Sequence, residues 1–116
     1  MRFGDDIAGA TLADTPAARD FAAMLPVIIV MQDRFGQAKA GHLPRNLAAD
    51  DTARVSNYAV GDLGYWSPSG DLAIFYADDG QSLPPPGLVR LGTVDTGLVA
   101  IAAAGNHSKV TIELAN

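Results

Sequence analysis

The chain has 116 residues, no cysteine and a formal net charge of −5 at pH 7, and 48% of its residues are hydrophobic. This size and hydrophobic content are typical of one folded domain, and we expect a single domain over residues 1–116. The negative charge argues against nucleic acid or an anionic membrane as a partner, and the lack of cysteine excludes disulfides and sites built on thiolate ligands.

The opening MRFGDDIAGA has two acidic residues where a secretion signal would need an apolar core. The longest apolar run, Met24–Met31, is too short to cross a bilayer and is interrupted by Pro26. We therefore expect a soluble, cytoplasmic protein, unless Met1 replaces a removed leader.

The first third of the chain predicts a strand, a helix and a second strand. The strand covers Asp6–Leu12 and is followed by a helix that begins at Pro16, with Thr15 as its N-cap. Pro26 ends the helix, and the β-branched segment Val27–Phe35 predicts a buried strand. The apolar face of the helix is predicted to hold Ala17, Phe21, Met24 and Leu25.

The rest of the chain predicts further strands and one short helix. The helix lies in DTGLVAIAAAGN, with Thr96 or Asp95 as its cap and Gly105 at its end. Residues 44–56 predict a loop with a helical turn near Leu47–Asp50, and ADDGQSLPPPG predicts a stiff connector. The strands are predicted in GQAKAGHL, DLGYW, DLAIFYA, LVRLGTV and KVTIEL. This order favours a mainly antiparallel sheet or barrel with helices over its openings.

No motif assigns a catalytic or metal site. The two histidines, His42 and His107, lack the spacing of metal ligands, and we expect neither a metal nor a cofactor. The acidic pairs at residues 5–6, 50–51 and 78–79 are typical of solvated turns. Neither the nucleophile elbow of hydrolases nor a glycine-rich phosphate loop occurs.

The segment 58–79 holds all three tyrosines, the single tryptophan and one of four phenylalanines. Strand alternation places Tyr65 and Trp66 on opposite faces, and likewise Phe75 and Tyr76. Because a barrel strand normally buries one face, the outward set needs a cover, which is either the chain's own helices and loops, a partner or a ligand.

A groove on the barrel face is therefore a candidate binding site. Arginine side chains near such a groove are suited to bind a carboxylate or a carbonyl group. The candidate lining residues are Tyr65, Trp66, Phe75 and Tyr76, and the candidate anchors are Arg34 and Arg90.

Three segments together resemble cyclophilins. GATLADTPAARDFAAMLP resembles their opening strand and helix, and GDLGYWSPSGDLAIFYADD with GLVRLGTV resembles their later hairpin and next strand. Together with DRFGQAKAGHLP, these segments are similar to a small bacterial cyclophilin-like family of uncharacterised proteins, from about Asp6 to Leu114. The resemblance implies a closed antiparallel β-barrel of about eight strands, with two short helices that cap its ends.

Cyclophilins are peptidyl-prolyl isomerases that use an arginine beside an apolar pocket, and the resemblance offers Arg34 for that role. Their arginine follows Phe-His, whereas Arg34 stands in QDRFG. LAIFY replaces their Phe-Phe-Ile, and DGQSLPPPG replaces a loop with tryptophan and histidine. These departures favour a non-catalytic domain that binds a small ligand or a peptide. A divergent prolyl isomerase is the alternative, and self-association through the barrel is a third interpretation.

Overall fold

The computed structural model describes residues 2–3, 6–34, 36–47, 54–77, 83, 87–104 and 108–113. These residues form a mainly β fold with two helices, α1 (Pro16–Ala23) and α2 (Leu98–Ala103). The strands are β1 (Arg2–Phe3), β2 (Asp6–Ile7), β3 (Gly9–Leu12), β4 (Val27–Arg34), β5 (Ala38–His42), β6 (Arg54–Val55), β7 (Asp62–Trp66), β8 (Asp71–Phe75), β9 (Leu88–Thr96) and β10 (Ser108–Ile112).

The strands form one antiparallel sheet in the order β2-β1-β10-β4-β5-β8-β7-β9-β3, and β6 pairs with β9 beside this path. The sheet turns a corner at β4, because residues 27–31 of β4 pair with β10 and residues 32–34 pair with β5. The antiparallel, mainly β prediction is confirmed.

The predicted closure of the barrel is not seen among the described residues, where the sheet is an open, curled half-barrel. The path of paired strands ends at β2 on one side and at β3 on the other. Ala8 is the one residue between these strands in the chain, which is too short a link for a hairpin that would pair them.

The concave face of the sheet encloses the main core. On β4, residues 27, 29 and 31 are buried, whereas Ile28 and Val30 face outward and are exposed. A buried strand was predicted here, and the strand is observed, but β4 is buried on one face only. The largest core side chains include Tyr65, Phe21, Ile29, Met31, Leu63, Leu72 and Ile74.

Helix α1 confirms its sequence prediction. The Ala18 N–H donates to Thr15 Oγ1 at 3.1 Å, and Pro16 occupies the first turn, where its missing N–H has no intrahelical partner to lose. The buried face holds Ala17, Ala18 and Phe21, and the helix ends before the cis Leu25–Pro26 bond. Met24 and Leu25 are partly buried and pack against the core.

The predicted caps of α2 were wrong. The N-cap is Gly97 at φ +84°, with no side-chain cap, because β9 runs on through Thr96. Thr96 Oγ1 instead accepts from the Gly9 N–H at 3.0 Å, and the Thr11 hydroxyl donates to Asp95 Oδ2 at 2.6 Å. A Cβ at position 97 would lie 2.8 Å from Ala8, so both the φ angle and the space require glycine here.

Other boundaries differ by short lengths. The predicted first strand is split at Ala8, and the two-residue strand β6 lies inside the predicted loop 44–56. The predicted strand at the end of the chain is observed as β10, in which Val110 and Ile112 are buried. Several predictions lie outside the described residues: the helical turn beyond Leu47, the turn and connector at 78–82 and 84–86, Gly105, His107 and Leu114.

Candidate functional site

A second apolar cluster lies on the convex face of the sheet. It is formed by the strand residues that alternate with those of the core, together with Tyr58, whose ring stacks on Phe75 with centroids 4.2 Å apart. Trp66, Val55 and Leu83 pack against this cluster and are partly buried. Segments of the chain itself therefore cover part of the outward-facing aromatic side chains, which is one of the three kinds of cover that the strand alternation predicted.

The uncovered part of the cluster forms a groove with a volume of about 350 Å³. Its apolar lining includes three alanines, of which Ala40 and Ala73 are direct neighbours across β5 and β8. Their methyl groups fill little space, and larger side chains stand around them. The apolar residues of the lining are Ala38, Ala40, Ala73, Trp66, Phe75, Leu83 and Leu88.

Gly64 on β7 shapes one wall of the groove. It lies opposite Ala73 and points to the same convex face. A Cβ at position 64 would lie 2.5 Å from Leu88 Cδ2, so the missing side chain lets Leu88 lie across β7. The groove therefore depends on small residues in three adjacent strands.

Polar groups at the groove come from Arg34, Gln37, Ser69 and Asp71. The Arg34 side chain is 49% exposed, and its Nη2 is 3.9 Å from Asp71 Oδ2, which is longer than a hydrogen bond. The side chain of Asp71 is only 10% exposed, and its Oδ1 is 2.7 Å from Nδ1 of His42. A cation and a largely buried carboxylate thus adjoin an apolar cavity.

The turn between β4 and β5, which carries Arg34 and Gln37, is held by two neighbours. Asp33 Oδ2 accepts from the Gly36 N–H at 3.0 Å, and the Tyr76 N–H donates to the Gln37 carbonyl at 3.0 Å. The Tyr76 hydroxyl also donates to Asp33 Oδ1. This hydrogen bond, more than any other cause, lowers the pKa of Asp33 and raises the pKa of Tyr76 to about 12.

Lys39 lies on the opposite face of β5 from the groove alanines and is 5% exposed. Its Nζ donates to the Ala104 carbonyl, just beyond α2, at 2.6 Å. The same Nζ is 3.6 Å from Asp33 Oδ1 and 5.7 Å from the centre of the Tyr76 ring. Lys39 therefore connects α2 to the turn that carries Arg34.

Three of the six predicted site residues meet at the groove: Trp66, Phe75 and Arg34. Trp66 is half-buried, and Phe75 is 4% exposed. Whether they bind a ligand stays a prediction.

The other three predicted residues lie elsewhere. Tyr65 is in the main core at 1% exposure, and its hydroxyl donates to Asn46 Oδ1 at 3.4 Å. Tyr76 binds Asp33 beside the groove. Arg90 faces solvent as predicted, but its Nε donates to Asp62 Oδ1 at 3.1 Å, and it is not part of the groove lining.

Sequence reasoning missed the alanines, Leu88 and Asp71. The alanines of AKA (residues 38–40) and LAI (residues 72–74) can be found in the sequence. They indicate a groove only when β5 and β8 are known to be neighbouring strands. In the part of the chain that the structure describes, no group of three or more His, Asp or Glu side chains converges to hold a metal ion. No helix among those residues is long and apolar enough to cross a membrane.

The sequence model of the cyclophilin-like family matches residues 1–113, and the chain belongs to this family. The solution structure of a hypothetical protein from Archaeoglobus fulgidus is similar to this chain, with a TM-score of 0.68 and 17% identity, over 97% of this chain and 91% of that one. At this identity the likeness shows the fold alone. No curated protein matches the chain.

Proposed function

We propose that this cyclophilin-like domain is a non-catalytic module that binds a small apolar ligand or a short peptide in the convex groove. The observation that carries the proposal is a cavity of about 350 Å³ with apolar walls and the charged groups of Arg34 and Asp71 at its edge. Ligand sites usually combine a mostly apolar concave surface with a few polar groups that orient the ligand.

The size of the groove sets the expected affinity. A ligand that removes about 200 Å² of apolar surface from water gains about 5 kcal/mol at roughly 25 cal/mol per Å². The loss of translational and rotational freedom offsets part of this gain. We therefore expect fragments to bind with dissociation constants of about 1 mM or weaker.

An NMR titration with ¹⁵N-labelled protein tests the proposal. We expect apolar amide fragments to shift the Trp66 indole and Phe75 backbone signals. Ala73→Leu places a larger side chain in the groove and should weaken binding at least tenfold. Ala23→Leu makes the same change at an exposed position of α1 and should leave binding unchanged. Failure of every fragment to bind, or equal binding by a folded Ala73→Leu variant, would refute the proposal.

A divergent peptidyl-prolyl isomerase is the second candidate function, and the position of Arg34 favours it. A half-exposed guanidinium beside apolar walls is suited to polarise a prolyl amide, whose isomerisation barrier is about 18–20 kcal/mol. A protease-coupled assay on a short X-Pro peptide separates the two functions. Acceleration at micromolar protein that disappears in Arg34→Ala, but remains in the exposed control Arg19→Ala, would favour the isomerase. No acceleration would exclude it.

We also propose that residues 1–116 act as one domain in a bacterial cytoplasm and that the curled sheet closes into a barrel. The family match over residues 1–113 supports the single domain. The barrel is supported by the curl of the sheet, since the strands at its two ends, β2 and β3, are consecutive in the chain. The bacterial and cytoplasmic proposals rest on the sequence. Self-association through the barrel is the third interpretation, and a monomer mass at all concentrations in light scattering would exclude it.

A further inference from the structure

Three exposed hydrophobic side chains lie on the outward side of the β2-β1-β10-β4 part of the sheet, which we call the outer face. Ile28 and Val30 on β4 are 69% and 45% exposed, and Ile7 on β2 is 71% exposed. Ile28 lies opposite Thr111 on β10. Thr111 in turn lies opposite Arg2 on β1, and Arg2 lies opposite Ile7. Because directly opposite residues of antiparallel strands share a face, one row crosses the outer face of all four strands.

Strand β10 carries two opposite charges on the same face. Val110 and Ile112 are buried, so the residues that alternate with them point outward. These outward residues are Lys109, Thr111 and Glu113. Lys109 and Glu113 are both exposed and stand on either side of Thr111, equally far from it along the strand. The row through Thr111 therefore separates a positive position from a negative one.

This charge pattern is self-complementary about a two-fold axis that runs along the row. Such an axis reverses the direction of β10 and places the row of one protomer on the same row of the other. Lys109 of each protomer then faces Glu113 of the other, and Ile28 faces its own copy. Glu113 also interacts within its own chain, but an ionised carboxylate has two oxygens and accepts from more than one donor.

The size of the outer face indicates how stable such a dimer can be. Four strands about 4.8 Å apart span about 19 Å, and the five residues of β10 span about 17 Å at about 3.3 Å each. The outer face therefore covers no more than about 320 Å² per protomer. Stable interfaces bury roughly 800 Å² per partner, so this area fits a weak, concentration-dependent dimer.

We infer that the outer face is a docking site for a second copy of this chain, in a two-fold symmetric dimer whose axis runs along the row of Ile28, Thr111 and Ile7. Lys109 and Glu113 pair between the protomers, and the isoleucines pack against their own copies. The charges select the antiparallel orientation of the two β10 strands, because the parallel orientation places like charges opposite each other. The inference gives self-association a surface and a symmetry, and it does not depend on ligand binding in the groove.

Sedimentation of the full chain from micromolar to millimolar concentration tests the inference. We expect a monomer at micromolar concentration and a reversible dimer toward millimolar concentration. Ile28→Lys places two like charges on the axis and should raise the dissociation constant at least about tenfold. Val99→Lys makes the same change on α2, where Val99 is 85% exposed, and should keep the native value. A native protein that stays a monomer throughout would overturn the inference, as would native association by Ile28→Lys.

A charge exchange tests the symmetry of the dimer. Lys109→Glu should raise the dissociation constant at least about tenfold, because acidic side chains then face each other across the axis. Lys109→Glu combined with Glu113→Lys should restore association to within about threefold of the native value, since the opposite charges again meet. Both positions are exposed, so the variants should keep the native circular dichroism spectrum. Native association by Lys109→Glu, or failure of the exchange to restore association, would overturn the inference.

Discussion

Replacing Lys39 with methionine removes a buried cation while keeping most of its apolar stem. Lys39 is 5% exposed, and its Nζ donates to the Ala104 carbonyl at 2.6 Å. Its ion pair with Asp33, at 3.6 Å, is the smaller loss, because Asp33 keeps the Tyr76 and Gly36 donors. The change therefore tests whether Lys39 connects α2 to the β4–β5 turn.

The magnitude follows from these contacts. A hydrogen bond to a charged group contributes about 1.5–3 kcal/mol. Removing the buried charge also removes its desolvation cost, which offsets part of the loss. We expect a net decrease of about 2 kcal/mol in the free energy of unfolding of Lys39→Met. At about 4 °C per kcal/mol, the melting temperature should fall by about 8 °C.

Urea unfolding followed by the fluorescence of Trp66, the single tryptophan, measures this change. The midpoint should fall by about 1 M if the urea dependence is about 2 kcal/mol per M. Lys109→Met is the matched control, because Lys109 is exposed on β10 and should change stability by less than about 0.5 kcal/mol. Equal stability of Lys39→Met and the native protein would refute the reasoning, as would an equal loss in the control.

Three further predictions test local features. Thr15→Ala should destabilise the protein by about 1 kcal/mol in urea, because it removes the α1 cap; unchanged stability would contradict this. The pKa of Tyr76 is raised to about 12, above its unfolded value near 10. The Tyr76 hydroxyl should therefore stabilise the folded protein fully below pH 10, and this contribution should disappear as the pH rises through 12. Urea titrations at each pH should show this loss of stability in the native protein but not in Tyr76→Phe. Gly64→Ala should lower the free energy of unfolding by about 1–3 kcal/mol and weaken ligand binding in the groove, because the added methyl group displaces Leu88. Unchanged stability and affinity would contradict the role of Gly64 in shaping the groove.

Elements with local sequence features were predictable. Thr15 and Pro16 mark the start of α1 because a cap and a first-turn proline act within one helical turn. The period of two predicted that Tyr65 and Trp66 lie on opposite faces of β7, as they do in the structure. Such features need no knowledge of tertiary contacts.

Features that depend on strand pairing were not predictable. Thr96 and Asp95 looked like helix caps, but both side chains bond to β3, which is distant in sequence. Ala40 and Ala73 are ordinary strand residues until their strands lie side by side. Asp71 likewise could not be predicted as a groove residue, because only the pairing of the strands brings it to the groove and near Arg34.

The most direct measurement of ligand binding in the convex groove is the electron density of crystals soaked in N-benzylacetamide. The expected result is density for the benzyl ring over Ala40 and Ala73, between Trp66 and Phe75. An accessible but empty groove, with the fragment bound instead on the exposed outer face of β4 or nowhere, would contradict the proposed function.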